Sequence, residues 1–304
     1  MVGEFTIFAR MKIETKEISL PVLDEKEVRL FIKRIDKVHP FVSGNKWFKL
    51  KYNLFEAEKQ GLNTLLTFGG AYSNHIAATA FAAKEKGFKS IGIIRGEEHL
   101  PLNPTLRFAT ENGMKLHYVS RSYYREKTNA DFLKNLKVQF GDFYLIPEGG
   151  TNELAIQGAA EILDSNDTQD SICCAVGTGG TIAGIINASN DKQTVIGFPA
   201  IKGIDALEKD IKIWTNTTNY KFINDYVGNG YAKINKDLVD FINEFDATHN
   251  IPLDAIYTGK MMMGILDLVA KDYFPKGSSI LAIHTGGLQG NDGMSERLGV
   301  KLPL

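Results

Sequence analysis

The chain is organised around one stretch, which reads Ser43-Gly44-Asn45-Lys46-Trp47-Phe48-Lys49-Leu50-Lys51-Tyr52-Asn53-Leu54. Its small polar start predicts a turn that runs into a helix, and either Ser43 or Asn45 can cap that helix. Phe48, Tyr52 and Phe55 recur at helical spacing, so we expect them to face a core. The stretch therefore predicts an amphipathic helix with a lysine in its first turn.

That lysine, Lys46, lies where the helix dipole disfavours a cation. A lysine in such a place either has a solvated head group or serves a chemical purpose. Lysine amines become nucleophiles when their site lowers the pKa, so one such purpose is a Schiff base with a carbonyl cofactor. The stretch alone favours the solvated lysine, and the rest of the chain reverses that preference.

Length and charge narrow the class of protein. The chain has 304 residues, of which 43% are hydrophobic and 23% charged, which is an ordinary globular composition. A chain of this length is too long for most single hydrophobic cores, so one large domain or two closely packed domains are expected. Its net charge of −1 leaves no basic excess for nucleic acid or an anionic membrane. No secretion signal opens the chain and no apolar run reaches the ~18 residues of a membrane span, which predicts a soluble cytoplasmic protein.

The two cysteines, Cys173 and Cys174, are adjacent. Neighbouring residues of a strand point to opposite faces, so a disulfide between them is not expected. We interpret both as small buried residues of a reduced, intracellular protein.

Strands and helices alternate along most of the chain, which predicts parallel sheets with helices on both faces. Strands are predicted at residues 28–36, 64–68, 90–94, 115–119, 143–146, 172–176, 195–200 and 280–283. Helices are predicted from the quoted stretch onward and at residues 76–86, 104–112, 125–140, 153–163, 182–188 and 261–270. An extended lead-in is predicted for residues 1–25. A mainly helical segment with one irregular stretch, Asp225 to Tyr231, is predicted for 203–250.

Five breaks rich in glycine or hydroxyl side chains fall where short apolar segments end. They are Gly69 to Asn74, Glu148 to Asn152, Gly177 to Thr181, Tyr257 to Gly259, and His284 to Gly287. Ligands of open α/β sheets bind outside the carboxyl ends of the strands. A single break says little because every turn favours glycine, whereas five in one chain indicate a site.

The break Gly177-Thr178-Gly179-Gly180-Thr181 is the best candidate for a phosphate site. Consecutive glycines let backbone N–H groups curl round an anion in front of a helix N-terminus. The break lacks the lysine of a P-loop and the glycine spacing of a dinucleotide turn. The alternative interpretation is a bare turn from strand to helix.

Ser73 and Asn74 stand where a helix begins, and the free N–H groups there suit a substrate carboxylate. The alternative is a simple N-cap. His75 and His284 are interpreted as buried, satisfied histidines, and no cluster has metal-ligand spacing, so no metal is predicted. A lysine, a phosphate cradle without a nucleotide motif and a carboxylate-binding turn together predict pyridoxal 5'-phosphate and a small amino-acid substrate.

The motifs carry a family resemblance. They are Ser43-Gly44-Asn45-Lys46, Ser73-Asn74-His75, Gly177-Thr178-Gly179-Gly180-Thr181, Tyr257-Thr258-Gly259-Lys260 and His284-Thr285-Gly286-Gly287. In this order they resemble the 1-aminocyclopropane-1-carboxylate deaminase/D-cysteine desulfhydrase family, whose members are tryptophan synthase β-like, fold type II pyridoxal-phosphate enzymes. The resemblance covers essentially the whole chain. It implies that each chain folds into two three-layer α/β domains with parallel or mixed sheets. The larger domain comprises residues 1–52 plus 161–304 and the smaller comprises 53–160. It also implies that two such chains form a homodimer.

The resemblance also implies roles for individual residues. Catalytic roles are expected for Lys46 as the Schiff-base lysine, Ser73 and Tyr257. Cofactor binding is expected from Lys46, Lys49, Asn74, Gly177, Thr178, Gly179, Gly180, Thr181 and Thr285. Substrate binding is expected from Ser73, Asn74, His75, Tyr231, Tyr257 and Thr258. Lys49 has the alternative of a solvated helix lysine.

Two positions separate members of this family. Deaminases that open the cyclopropane ring resemble one another in having Glu after the tyrosine and Leu before the last Gly-Gly, where this chain has Thr258 and Thr285. Thr285 is too weak an acid to protonate a pyridine nitrogen, and the weaker electron sink that results suits β-elimination. The chain departs from typical desulfhydrases at Ala71-Tyr72 and at residues 76–78, which flank the expected carboxylate site.

The expected function is therefore a pyridoxal-phosphate lyase that converts D-cysteine, or a similar amino acid, into pyruvate, ammonia and sulfide. One alternative is opening of the 1-aminocyclopropane-1-carboxylate ring to 2-oxobutyrate and ammonia, with Ser73 or Tyr257 as nucleophile. Another is a non-catalytic carrier of pyridoxal phosphate or an amino acid on the same fold.

Overall fold

The computed structural model describes residues 12–200, 204–215, 217–227 and 234–304. Its strands are β1 Thr15–Ile18, β2 Arg29–Lys33, β3 Thr64–Gly69, β4 Lys89–Arg95, β5 Met114–Val119, β6 Tyr144–Ile146, β7 Ser171–Val176, β8 Thr194–Pro199, β9 Tyr220–Phe222 and β10 Ser279–Ile283. Its α-helices are α1 Pro21–Lys26, α2 Asn45–Lys59, α3 Asn74–Glu85, α4 Pro104–Glu111, α5 Arg121–Tyr124, α6 Ala130–Phe140, α7 Glu153–Ala160, α8 Gly180–Ala188, α9 Ile204–Trp214, α10 Lys236–His249, α11 Thr258–Ala270 and α12 Gln289–Leu298. None of the described helices is long and apolar enough to cross a membrane.

The strands form two sheets. The larger sheet has the order β1-β2-β10-β7-β8-β9, in which β1 pairs antiparallel with β2 and the other neighbours pair in parallel. The smaller has the order β5-β4-β3-β6 and is parallel throughout. Parallel strands joined through helices confirm the predicted α/β architecture with parallel and mixed sheets. The proposed division into domains at residues 52/53 and 160/161 stays a prediction.

Helix α2, which begins in the quoted stretch, packs into a core that both sheets share. Its Trp47, Leu50 and Leu54 side chains are buried in one cluster with Leu65 of β3 and Ile172 of β7. Truncating a fully buried leucine to alanine typically costs ~2–5 kcal/mol of stability. The position of α2 is therefore strongly fixed, and with it the position of every side chain in its first turn.

The two cysteines lie on opposite faces of β7. Cys174 belongs to the same core as α2, whereas Cys173 belongs to the core on the far face, with Leu30 and Ile196. Both are fully buried, which confirms that they are core residues. The two side chains take opposite faces because side chains alternate along a strand, so adjacent ones cannot share a face.

Three local predictions are wrong. The lead-in contains β1 and the helix α1, which begins with a proline in its first turn. The segment 203–250 contains α9 and α10, in line with a mainly helical prediction, but also β9, which pairs with β8 and was not predicted. Residues 255–257 form a turn into α11, so the break at Tyr257 does not follow a strand. The physical reason is a buried carboxylate that binds the backbone of this turn, as described below.

Candidate active site

The first turn of α2 is held against the turn that follows β10. Gly44 caps α2 with φ of 64°, and a Cβ on it would overlap the carbonyl oxygen of Thr285. The Asn45 N–H donates to that same oxygen at 3.2 Å. Only glycine tolerates both the φ and the close approach. The prediction that Ser43 or Asn45 caps the helix is therefore wrong, and both side chains donate hydrogen bonds elsewhere.

Lys46 lies in the wall of a cavity, one residue inside α2. Its Nζ donates to Asn45 Oδ1 at 2.9 Å, and Asn45 Nδ2 donates to Thr181 Oγ1 at 2.8 Å. Burial lowers the pKa of Lys46 to about 8, and the charge of Asp254 opposes the shift in part. At pH 7 such an amine is roughly one tenth neutral, against fewer than about one in a thousand for an ordinary lysine. Lys46 thus has the reactivity that a nucleophilic amine needs.

Lys49 is one turn further along α2 and is only 2% exposed. Its Nζ donates to Thr151 Oγ1 at 2.8 Å, and that oxygen lies 2.5 Å from Thr178 Oγ1. Burial, followed by the charge of Lys46, lowers the pKa of Lys49 well below its ordinary value. The solvated-lysine alternative is therefore wrong. A buried amino group held only by a hydroxyl is costly to charge unless an anion joins it.

The loop Gly177 to Thr181 turns from β7 into α8 beside Lys49. A Cβ on Gly180 would lie 3.2 Å from Lys49 Nζ and 2.9 Å from Thr151 Cγ2, so a side chain there would crowd both groups. The first N–H groups of α8 have no partner within the helix, and Thr181 of this first turn lines the cavity. A buried lysine, a helix N-terminus and a glycine in close contact with that lysine together form an anion cradle.

Ser73 caps α3, because its Oγ accepts a hydrogen bond from the Ile76 N–H at 3.3 Å. Capping by Ser73 is thus confirmed, and Ser73 also lines the cavity, while its binding of a substrate carboxylate stays a prediction. Asn74 follows in the first turn, and its Oδ1 accepts a hydrogen bond from Gln289 at the start of α12. This pairing fixes the Asn74 amide beside the cavity.

His75 is 2% exposed and has a defined tautomer. The Thr67 hydroxyl donates to Ile146 O at 2.8 Å, so the His75 Nε2–H donates to Thr67 Oγ1 at 2.7 Å. Nδ1 therefore carries a lone pair and has no partner among the described residues. Burial, with the charges of Lys46 and Lys49, lowers the pKa of His75 well below its ordinary value. The interpretation as a satisfied histidine is wrong for Nδ1, which suits a donor on a bound ligand.

Asp254 organises the turn before α11. Its carboxylate accepts three backbone N–H bonds between 2.7 and 3.0 Å, from Ile256, Tyr257 and Thr258, and a fourth from Thr258 Oγ1 at 2.8 Å. This turn places Tyr257 in the cavity wall beside Gly177. Thr258 lies behind that wall, fully buried, with its hydroxyl engaged by Asp254. The structure thus does not bring Thr258 to the cavity.

Thr285 lines the cavity directly after β10. The preceding His284 is satisfied at both nitrogens, since its Nε2–H donates to Pro252 O at 2.6 Å and its Nδ1 accepts from the Gly286 N–H at 3.3 Å. The interpretation of His284 as a structural residue is confirmed. It holds the turn that presents Thr285.

The cavity has a volume of about 1330 Å³, ample for a cofactor and a small amino acid. The sequence-predicted residues that line it are Lys46, Lys49, Ser73, Asn74, His75, Gly177, Thr178, Gly179, Thr181, Tyr257 and Thr285. Gly180 belongs to the same loop and is buried next to Lys49. Tyr231 is outside the described residues.

Sequence reasoning missed four residues of this site: Asn45 as the partner of Lys46, Thr151 as the partner of Lys49, Asp254, and Gln289. Thr151 belongs to a break that the sequence did single out. An acidic residue just before a helix is a usable signal for Asp254. The pairing of Gln289 with Asn74 joins distant segments and leaves no local signal.

These features fit pyridoxal phosphate. The cradle formed by Lys49, Thr178 and the α8 N-terminus matches a phosphate, and the orphan Nδ1 of His75 marks a place for a ligand donor. Lys46 is the amine that can join the carbonyl carbon. A two-sheet α/β fold with this site defines a fold type II pyridoxal-phosphate-dependent enzyme.

Comparison with known proteins leads to the same class of enzyme. Residues 12–286 match the family described as pyridoxal-phosphate dependent enzyme. A putative 1-aminocyclopropane-1-carboxylate deaminase of Thermotoga maritima is 33% identical and covers 88% of this chain and 92% of its own. The chain therefore belongs to the pyridoxal-phosphate-dependent enzymes and, within them, to the 1-aminocyclopropane-1-carboxylate deaminase/D-cysteine desulfhydrase family.

Further relatives carry both activities in their names. A mitochondrial bifunctional D-cysteine desulfhydrase/1-aminocyclopropane-1-carboxylate deaminase of Arabidopsis thaliana is 32% identical, covering 86% of this chain and 73% of its own. The crystal structure of a 1-aminocyclopropane-1-carboxylate deaminase homologue superposes with a TM-score of 0.82 at 26% identity, covering 96% of this chain and 94% of its own. The shared architecture confirms the predicted fold.

Proposed function

We propose that this enzyme catalyses α,β-elimination on a small amino acid, with D-cysteine going to pyruvate, ammonia and sulfide. One observation carries the proposal: Lys46 and Thr285 line one cavity, and their turns are bonded directly through the Asn45 N–H. A threonine hydroxyl is too weak an acid to protonate a pyridine nitrogen. A reaction in which a leaving group takes the electrons suits such a site.

The roles proposed for the chain's residues follow from their positions. Pyridoxal phosphate, when bound, supplies the electron sink. Lys46 takes the Cα proton, the Cβ–S bond breaks with its electron pair on sulfur, and Tyr257 is placed to move a proton. The first turn of α3 at Ser73 and Asn74 holds the substrate carboxylate through its N–H groups. Water then converts the released product to pyruvate and ammonia.

Ring opening of 1-aminocyclopropane-1-carboxylate to 2-oxobutyrate and ammonia is the second candidate, with Ser73 or Tyr257 as nucleophile. The names of the relatives in Thermotoga maritima and Arabidopsis thaliana support it. The position of Thr258 speaks against it. That side chain lies against the carboxylate of Asp254, where the Glu of ring-opening enzymes would place a second negative charge.

The visible spectrum of the purified protein, with and without added pyridoxal phosphate, tests the site. We expect an absorption band from the bound cofactor in the wild type, and a covalent link between the cofactor and Lys46 after reduction with borohydride. Both should be missing in Lys46→Ala. D- and L-cysteine, β-chloroalanine and 1-aminocyclopropane-1-carboxylate are then scored for pyruvate, sulfide and 2-oxobutyrate. Pyruvate with sulfide supports elimination, and 2-oxobutyrate supports ring opening. A bound cofactor without any turnover would indicate a carrier instead.

We propose further that the protein acts in the cytoplasm as a homodimer of two-domain subunits, with residues 53–160 as the smaller domain. The family resemblance supports the dimer. The grouping of β3 to β6 in one sheet supports the domain division. Light scattering at several concentrations tests the dimer, and limited proteolysis tests the boundaries near residues 52 and 160.

A further inference from the structure

The cavity wall next to the smaller sheet carries a group of four arginines, which we call the arginine rim: Arg95, Arg107, Arg121 and Arg125. Arg95 ends β4, and Arg121 begins α5 just after the neighbouring strand β5. Arg121 Nε would lie 3.7 Å from a Cβ on Gly96, which follows Arg95 directly. The two guanidinium groups thus stand at the carboxyl edge of adjacent parallel strands, where ligands of α/β sheets bind.

Arg95 lies beside the turn that precedes the proposed substrate site. Its Nη2 would lie 3.6 Å from a Cβ on Gly70, in the turn that leads to Ser73. Its guanidinium stands over the ring of Tyr124, 5.8 Å from the centroid, and the Tyr124 hydroxyl donates to Glu148 at 2.9 Å. The aromatic face thus supports the guanidinium and leaves its N–H fork for a ligand.

The carboxylates on the same wall do not neutralise this rim. Glu148 pairs with Lys127 at 3.3 Å, and Asp36 pairs with the buried Arg34 at 2.6 Å. Glu111 and Asp292 also line the cavity, but within the described part of the chain neither forms an ion pair with a rim arginine. Cations gathered on a concave wall raise the local concentration of an anionic ligand. Their planar N–H forks match phosphate and carboxylate oxygens in pairs.

We propose that the arginine rim lets the same site also accept amino acids whose β-carbon carries a phosphate ester, in addition to D-cysteine. This specificity rests on the elimination proposed above. In that reaction the Cα–H proton is removed, the Cβ–O bond breaks, and its electron pair departs on the phosphate oxygen. With one water, O-phosphoserine yields pyruvate, ammonia and phosphate, so atoms and electrons balance. The rim binds the ester and stabilises the charge that grows on the departing group.

Binding is tested on the holoenzyme by calorimetric titration with D- and L-O-phosphoserine, with the matching serines as neutral partners. We expect one phosphoserine enantiomer to bind at least roughly ten-fold more tightly than its serine. Raising the salt from about 20 to about 200 mM should weaken phosphoserine binding and leave serine binding nearly constant. Equal affinity for the ester and the serine of both enantiomers would overturn the proposal.

Variants locate the effect. Arg95→Gln should weaken phosphoserine binding and lower its kcat/KM about ten-fold more than that of β-chloroalanine, which has a neutral β-substituent. Arg29→Gln is the control, since Arg29 pairs with Glu17 at 2.7 Å at the amino end of β2, away from the cavity. Equal losses on both substrates would overturn the role of Arg95. Pyruvate from β-chloroalanine reports separately on the elimination itself, and calorimetry measures the rim even if no substrate turns over.

Discussion

Replacement of Lys49 by methionine should stabilise the cofactor-free protein against unfolding and weaken its binding of pyridoxal phosphate. Methionine has a similar length and no charge. Lys49 is 2% exposed, and among the described residues its Nζ donates to one neutral hydroxyl, that of Thr151. Removing this poorly paired amine should raise the free energy of unfolding of the cofactor-free protein by about 1–3 kcal/mol. The same change removes a charge-assisted hydrogen bond of about 1.5–3 kcal/mol to the phosphate, which weakens cofactor binding about 10- to 150-fold.

The two quantities are read from urea unfolding of the cofactor-free protein and from fluorescence titration with pyridoxal phosphate. Lys51→Met is the matched control, because Lys51 is on the same helix but pairs with Glu161 at 2.6 Å and is partly exposed. We expect a change of less than about 1 kcal/mol for the control, and unaltered cofactor affinity. Unchanged cofactor affinity in Lys49→Met would refute the phosphate cradle, whatever happens to stability.

The pH dependence of the free energy of unfolding of the same variant is an independent test of the burial of Lys49. The fold lowers the pKa of Lys49, so between that pKa and the ordinary ~10.4 the unfolded chain binds more protons than the folded chain. Stability of the cofactor-free protein should therefore rise with pH across this window. Lys49→Met should show a shallower rise, with Lys46 still contributing above pH 8 or so. An identical slope in both proteins would show that Lys49 is not buried as described.

Substitutions at three further positions test other parts of the site. Gly180→Ala places a Cβ 3.2 Å from Lys49 Nζ and should weaken cofactor binding at least about ten-fold in the same titration. His75→Gln keeps an N–H near the Nε2 position but loses the Nδ1 acceptor, whereas His75→Asn keeps the acceptor. We expect the Gln variant to be the more stable of the two in urea unfolding and to have the lower kcat/KM. The reverse order in both measurements would contradict the role of Nδ1. Thr258→Glu buries a second carboxylate beside Asp254 and should lower the free energy of unfolding by more than about 3 kcal/mol, while Thr258→Ser should cost less than about 1 kcal/mol.

The sequence predicts most of this fold because its elements have strong local signals. Adjacent strands and helices are marked by apolar runs and by the glycine breaks between them, and the opposite faces taken by Cys173 and Cys174 follow from the strand period alone. β9 escapes prediction because it has three residues and exists by pairing with β8. The helix α1 escapes because six residues carry too little periodicity to identify.

The site is predictable where a residue's chemistry is local and not where it depends on a distant partner. Lys46 is marked by its motif, and a glycine before it is visible in the sequence. That Gly44 must be glycine because of the Thr285 carbonyl can be seen only in the fold. Likewise the lone pair on His75 Nδ1 is fixed by Thr67, which itself donates to a strand of the same sheet.

Lys46 is held in place by its neighbour Asn45, which itself bonds to two other segments of the chain. The α2 backbone is bonded to the turn after β10 through Asn45 and Thr285, and the Asn45 side chain joins Lys46 Nζ to Thr181 at the start of α8. One asparagine thus links the Lys46 amine, the turn at Thr285 and the loop Gly177 to Thr181. Because the three contacts share this residue, their energies should not add independently. Loss of the Asn45 side chain should disturb the orientation of Lys46 and the phosphate loop together, although neither group is altered chemically.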